Sequence, residues 1–351
     1  MIHSSILEGV QVLDLSTVLA GPSVGSFLAE LGAEVIKIES PQGDVTRTWF
    51  SPSEDQSTTS AYYLSVNARK KVKVMDLKTE RSALDNMLQQ ADIVLLNFKS
   101  SDEEKFDLVP KQILEKYPHL IIGKIKGFED DEQRVAYDVA IQAETGHMSI
   151  NGEKGAAPLK LPIAFMDVLA AHQLKEGILC ALLNKTTTGK GMIVECSLES
   201  AGLVSLMNQG SLYLKTGNAP KASGSLHPNI APYGEQLVFK DNVRIVLAIG
   251  SDKQFEGLCH ILKSAELLLD ERYTSNVLRV EFRNELLTSL QLASKNFAFH
   301  EIRQKMITKN IPFGQIKDLS EVMQSKAANE KIMLQENGNR SLSHIGFRII
   351  K

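Results

Sequence analysis

The sequence predicts an α/β fold, a parallel sheet with helices on both faces, followed by a smaller α+β domain. Short β-branched runs alternate with segments of helical period through the first two-thirds of the chain, the pattern of parallel strands joined by crossover helices. From about Gly217 the character changes: Asn218, Pro220, Gly224, Pro228 and Pro232 punctuate a linker. A hairpin-like pair and three helical stretches come after it.

Residues 9–15 (Gly-Val-Gln-Val-Leu-Asp-Leu) read as the first strand and 23–31 as a helix. Residues 33–39 form a second, β-branched strand. A Pro/Gly loop with Pro41 and Gly43 and a Ser/Thr-rich stretch lead to a strand over 71–76. A helix over 80–91, a strand over 92–96 and a helix–strand pair ending at 120–125 continue the alternation. Leu161-Pro162-Ile163-Ala164-Phe165-Met166 reads as an apolar strand ending on Asp167. The long amphipathic helix behind it carries Leu169, Leu174, Ile178, Leu179, Leu182 and Leu183 and stops at Thr186–Gly191. A strand over 193–197 and a helix from Leu198 close the first domain. In the second, 236–239 and 243–249 pair around Lys240-Asp241-Asn242, helices fill 252–309, and 311–316 form a short strand. The expected boundaries are 1–216 for the large domain, 217–330 for the small one and 331–351 for a segment returning to the large one.

Composition narrows the function. With 351 residues, 43% of them hydrophobic and 23% charged, the chain can bury two sizeable cores. A net charge of −3 gives no global attraction to nucleic acid or to an anionic membrane. Cys180, Cys196 and Cys259 are far apart and fit reduced cysteines of a cytoplasmic protein. The eight histidines include no HExxH pair, so no metal site is expected. No apolar run reaches membrane-spanning length, and Met1-Ile2-His3-Ser4-Ser5 has no signal-peptide pattern.

Asp167 is the residue of most interest, because it falls where an apolar run gives way to a helix. There a carboxylate can cap the helix through backbone N–H groups, or stand ionised and nucleophilic at the mouth of a site. Gly21-Pro22-Ser23-Val24-Gly25 fits the G-x-S-x-G elbow of hydrolases, but it follows the first strand, where a helix-start turn explains it as well. Gly189-Lys190-Gly191 lacks the upstream glycine of a phosphate loop, and G-x-G-x-x-G is absent after both early strands. Arg69-Lys70-Lys71-Val72-Lys73 reads by itself as a solvated strand edge, with a polyanion site as the alternative.

Taken together, these segments resemble the family III CoA-transferases (the CaiB/BaiF group with formyl-CoA and carnitine CoA-transferases). The resemblance rests on 9–16, Leu19-Ala20-Gly21-Pro22, 31–39, Gly43-Asp44 with Arg47, Leu64-Ser65-Val66-Asn67 and Met75-Asp76-Leu77-Lys78-Thr79. It continues through Asp92-Ile93-Val94 with Asn97-Phe98, residues 137–143, the Asp167 segment and Thr188-Gly189-Lys190-Gly191. His227 to Gly234 and Ile311-Pro312-Phe313-Gly314 extend it into the small domain.

The resemblance implies a Rossmann-like large domain, an interlaced homodimer and a CoA-thioester enzyme without a permanently bound cofactor. The partners are an acyl-CoA and a small carboxylic acid, and the catalytic carboxylate falls on Asp167. It also places Leu19, Ala20, Ser40, Leu77, Lys78, Asn97, Phe98 and Lys105 along the CoA, with Tyr137 and Asp138 near the thioester. Lys105 stands where relatives often carry Arg, which keeps the charge and loses the bidentate fork. Ser40 stands where some carry Arg, which leaves one phosphate contact open. Relatives continue for some tens of residues beyond the segment at 345–351. Trp49 and the 202–224 region are candidate lining for the acid acceptor.

The α-methylacyl-CoA racemases of the same superfamily are the alternative. They carry Gly-His-Asp where this chain has Ala136-Tyr137-Asp138, so two-base proton transfer lacks a partner here. His147 lies ten residues on and is read as ordinary.

Overall fold

The computed structural model describes residues 5–130, 134–335 and 338–350. Residues 1–4, which belong to the stretch without a signal-peptide pattern, lie outside it. So do 336, 337 and 351 of the expected returning segment. The chain divides into two compact units, one of residues 1–148, 160–220 and 326–351 and one of 149–159 and 221–325. Residues 149–159 were expected with the large domain and group instead with the second unit.

The first unit is built on six parallel strands, β1 (Gln11–Asp14), β2 (Glu34–Glu39), β3 (Lys71–Val74), β4 (Ile93–Leu96), β5 (Ile121–Lys126) and β6 (Ile193–Ser197). Their order is β3-β2-β1-β4-β5-β6. The central β4 is buried along its whole length, as a strand covered on both faces must be. β3 is an edge strand with every residue exposed, and Lys71 and Lys73 on it are the solvated edge the basic stretch suggested. Lys70 differs: its side chain is fully buried against Asp14.

The helices are α1 (Ala20–Glu30), α2 (Ala61–Asn67), α3 (Arg81–Gln90), α4 (Ser100–Lys105), α5 (Pro110–Lys116), α6 (Asp138–Glu144), α7 (His147–Ile150), α8 (Phe165–Thr188), α9 (Leu198–Ser205) and α10 (Met207–Thr216). Helix α1 starts at Ala20, three residues earlier than expected. The larger correction concerns the approach to α8. Residues 161–164 form no strand, and the helix begins at Phe165, so Asp167 lies inside its first turn and is not its cap.

The buried stripe of α8 is Met166, Ala170, Ala171, Leu174, Ile178 and Ala181, at helical spacing, while Leu183 is 70% exposed. Small residues on this stripe let the helix lie close on the sheet. A Cβ on Gly177 would stand 2.4 Å from Val194 Cγ1, an approach only glycine permits. The last segment returns to this unit: the His344 N–H donates to Glu30 at 2.8 Å, and Ile345 joins the core around α1 and α8.

The second unit holds the antiparallel strands β7 (Tyr233–Val238), β8 (Arg244–Ala248) and β9 (Phe313–Gln315), in that order. Four helices lie between β8 and β9 where three were expected: α11 (Asp252–Ile261), α12 (Asn276–Glu281), α13 (Arg283–Ser294) and α14 (Phe299–Thr308). Phe239, Phe255, Leu258, Leu290, Phe299 and Met306 form its core.

Candidate active site

In an open α/β sheet the loops at the carboxyl ends diverge where the strand order changes direction. Here that point lies between β1 and β4, because β2 and β3 extend the sheet one way and β5 and β6 the other. Asn97, just after β4, bridges the divergence. Its Oδ1 accepts from the Thr17 N–H at 3.0 Å, and its Nδ2 donates to the Thr17 carbonyl at 2.9 Å.

Two cavities open on either side of this bridge and share Thr17 and Phe98 in their walls, so they form one groove across the carboxyl ends of the sheet. The larger, about 350 Å³, is walled by the loops after β2 and β3 and by α4. Ser40, Leu77, Lys78, Phe98 and Lys105 all line it. The other, about 200 Å³, is lined by Ala20, Asn97, Phe98, Tyr137, Asp138 and Asp167. Of the residues marked for CoA, Leu19 alone lines neither. It is the residue before α1, and its carbonyl accepts from the Ser23 N–H at 2.8 Å.

Three helix N-termini meet at the smaller cavity. Asp138 opens α6, and its Oδ1 accepts from the Met166 N–H in the first turn of α8 at 2.6 Å. So Asp138, not Asp167, satisfies the orphan amide at that end. Asp167 faces the smaller cavity, and the start of α1 at Ala20 lies near enough to favour its ionised form. Burial pushes the Asp167 carboxyl up to about 7; the charge of Asp138 adds to this, and the Ala20 N–H opposes it.

Tyr62, which the sequence reading missed, lines neither cavity but lies near enough to Asp167 and Asp138 to feel their charges. Burial raises its hydroxyl to about 12, together with the charges of Asp167, Asp138 and Asp44. The Trp49 ring packs edge-on against Tyr62 with centroids 5.0 Å apart. Trp49 lines neither cavity, and residues 202–224 line neither as well. The only signal for Tyr62 was its place in the run Ser60-Ala61-Tyr62-Tyr63 before the matched Leu64–Asn67 segment.

Lys124, Lys126 and Arg134 form a basic wall in the same cavity. Lys124 pairs with Glu103 at 3.0 Å, Lys126 with Glu195 at 3.0 Å and Glu129 at 3.2 Å, and Arg134 with Glu144. His147 lies near enough to Asp138 to feel its charge, a proximity its place in the sequence did not suggest. Its imidazole is engaged by Thr145 at 2.9 Å and Ser205 at 3.0 Å, and burial lowers its pKa. Ser23 of the elbow-like motif is buried on α1 beside His344 Nδ1 at 3.1 Å and reaches no cavity described above. Among the described residues no cluster of metal-ligating side chains occurs, and no helix is long and apolar enough to cross a membrane.

A two-part groove at the switch point of a parallel sheet, with a carboxylate at one end and lysines at the other, is the layout of an enzyme acting on an anionic ligand with a long arm. The comparisons give the family. The CoA-transferase family III profile matches residues 7–348, and the chain belongs to that family. It is 32% identical to the succinate–glutarate CoA-transferase of Agrobacterium fabrum, over 90% of this chain and 81% of the relative. It is 33% identical to the human succinyl-CoA:glutarate CoA-transferase, over 90% of this chain and 73% of that protein. A crystal structure of a CaiB/BaiF family protein from Brucella suis superposes with a TM-score of 0.88 at 32% identity, covering 99% of this chain and 93% of the other. The protein is thus a CoA-transferase that moves CoA from an acyl-CoA to a carboxylic acid.

Proposed function

We propose that Asp167 is the group that reacts. Its carboxylate attacks the thioester carbonyl carbon, the C–S bond breaks, and CoA leaves as thiolate from an aspartyl mixed anhydride. The thiolate then attacks the aspartyl carbonyl, giving an aspartyl-CoA thioester and releasing the donor acid. The acceptor acid repeats the two steps in reverse and departs as the new thioester. Splitting one exchange into covalent half-reactions keeps the activated acyl group away from water. The observation that carries this reading is the half-buried Asp167 carboxylate at the cavity wall beside Asp138, with no cation paired with it among its described interactions.

CoA lies along the groove in this reading. Lys78 and Lys105 face the phosphates across the larger cavity, with Ser40 and Leu77 beside them. Asn97 and Phe98 stand at the narrows, and Tyr137, Asp138 and Ala20 surround the thioester. The acceptor is a short dicarboxylic acid, as in the names of both transferases above. One of its carboxylates meets Asp167, and the basic wall of Lys124, Lys126 and Arg134 favours the other. The protein works as a homodimer, which would cover the exposed apolar residues Leu203, Val204, Met207, Tyr213 and Leu214 of α9 and α10.

The experiment is turnover with succinyl-CoA and a panel of mono- and dicarboxylic acids, quenched with hydroxylamine or borohydride. A modified Asp167 and new dicarboxylyl-CoA thioesters are expected. Exchange of an α-proton with solvent deuterium in the absence of any adduct would establish the racemase chemistry instead.

A further inference from the structure

Four lysines of the first unit pair with carboxylates, and the pairs are not alike. Lys37 pairs with Asp44 at 3.0 Å and Lys70 with Asp14 at 2.6 Å, all four side chains fully buried, and Lys37 also donates to the Ser16 carbonyl. Lys124 pairs with Glu103 at 3.0 Å, again with both side chains buried. Taking one partner from a buried pair strands a charge, so these three pairs are permanent fittings of the fold. Lys126 differs. Its own side chain is largely buried, but its carboxylates, Glu195 at 3.0 Å and Glu129 at 3.2 Å, are 40% and 42% exposed. Water can solvate either of them in place of the ammonium, so a contact of this kind exchanges at little cost.

Strand geometry puts Lys126 at the cavity and leaves its partners outside it. Residues 124 and 126 share one face at the end of β5, and β6 runs parallel with Glu195 opposite Lys124 and Ser197 opposite Lys126. Lys126 lines the Asp167 cavity, whereas Glu195 and Glu129 line neither cavity. An ammonium has three protons, and Lys126 has three acceptors: Glu195 Oε1, Glu129 Oε2 and the Glu129 carbonyl at 3.3 Å. A ligand oxygen therefore binds only where one of these lets go. Glu129 is pinned, since its Oε1 accepts from the Ser197 and Ser200 hydroxyls at 2.5 Å each. Among its described interactions the Glu195 carboxylate meets Lys126 and, at 3.9 Å, Lys124. Glu195 is the contact that gives way. Arg134, the third cation of the wall, commits two nitrogens to Glu144 and its face to the Phe128 ring at 4.2 Å, so it would have to surrender a whole fork.

We propose that Lys126 is the residue that selects a dicarboxylic acid, its ammonium passing from the Glu195 carboxylate to the far carboxylate of the substrate while Glu129 stays. The inference rests on Asp167 as the reacting group, and it names the cation that reads the other end of the acid. Glu195 is then a stand-in for substrate. It neutralises Lys126 before the acid binds and turns into water when a second carboxylate arrives. A monocarboxylic acid of the same length brings nothing to displace it and leaves its apolar end against a paired ammonium. The two residues therefore act in opposite directions: Lys126 draws the far carboxylate in, and Glu195 competes with it.

The test compares glutarate with valerate as acceptors, two straight-chain acids of equal length that differ in the second carboxylate. With succinyl-CoA as donor, kcat/KM for the acceptor reports the second half-reaction, so the ratio of the two values reads the acceptor pocket alone. Wild type prefers glutarate. Lys126→Met lowers the ratio roughly 10- to 100-fold, the worth of a charge-assisted bond. Glu195→Gln raises it about two- to fivefold, the worth of an exposed ion pair. A bridge that only supports the fold makes both variants poorer with both acids and leaves the ratio alone, and that result overturns the proposal. So does a ratio that falls with Arg134→Gln and not with Lys126→Met. If Lys126→Met does not fold, Glu195→Gln decides by its sign, a rise supporting the proposal and a fall or no change overturning it. An intact ratio in Lys126→Met with the Asp167 adduct still trapped by hydroxylamine overturns this inference alone. A wild-type protein that turns over without any adduct on Asp167 overturns the reading of Asp167, and this inference with it.

Discussion

At the Asp167 end of the groove the cations are matched by carboxylates of the protein, Lys124 by Glu103, Lys126 by Glu195 and Glu129, Arg134 by Glu144. Asp167 itself is partly desolvated and sits beside a second carboxylate. At the other end Lys78 is exposed and the Lys105 side chain is 52% exposed, 3.8 Å from Asp102 and with its Nζ 5.1 Å from the centre of the Phe106 ring. One end has a shaped electrostatic environment that exists before any ligand arrives. The other offers mobile charge to whatever anion comes. The first suits chemistry, where reorganisation adds to the barrier, and the second suits capture of a flexible polyanion. Substitutions at the two ends should therefore fail in different ways.

The largest effect is expected from Asp167→Asn, which keeps shape and removes the anion. Its kcat should fall roughly 10⁴-fold, with CoA affinity within about twofold of wild type, as steady-state and equilibrium binding measurements would show. If affinity collapses as well, the two ends are not separable. Next comes pH. If Asp167 reacts as its carboxylate, whose pKa is raised to about 7, the rate of acylation should climb through neutrality and drop about tenfold per unit below it. A flat profile from pH 5 to 8 would mean that the reactive end is not desolvated as described.

Charge reversal at Lys78 and Lys105 together should weaken CoA binding by on the order of tenfold or more and flatten its salt dependence, leaving the acid limb where it was. Unchanged affinity would remove the capture role from that end. The smallest expected effect is on stability. A carboxyl raised in the folded protein disfavours the ionised fold, so the contribution of Asp167 to stability falls as pH rises from about 4 through about 7. Asp167→Asn should then be more stable than wild type at pH 8, by roughly 2–4 kcal/mol at most, with the gain shrinking toward pH 4 in chemical denaturation.

The capture end was easier to read from sequence than the reactive end. Lys78 follows β3 and Lys105 ends α4, and both were found through the family resemblance, whose matched segments are contiguous stretches of sequence. Asp167 was found as a residue but misplaced in structure, because Leu161–Met166 is as apolar as a strand and periodicity cannot tell six such residues from a helix approach. Lys37 gave no sign at all. It lies within an alternating strand where a lysine normally points to solvent, and only the three-dimensional course of residues 16 and 44 shows that it is fully buried. The parallel sheet was legible because strand–helix alternation is a local property. The geometry of the β1–α1 loop depends on contacts between residues far apart in the chain, such as Asn97 with Thr17 and Lys37 with Ser16.

The return of residues 326–351 to the first unit has a consequence for how the protein is made. The buried Glu30 carboxylate receives the His344 N–H and the Ser343 hydroxyl, and Ile345 completes the apolar layer beside α1. A ribosome delivers Glu30 more than three hundred residues before those partners. The β7–β8–β9 unit, whose chain runs almost without interruption from 221 to 325, can close on itself in the meantime. All six strands of the parallel sheet are made by residue 197, yet the Glu30 side of α1 stays uncovered until residues 343–345 have followed the second unit.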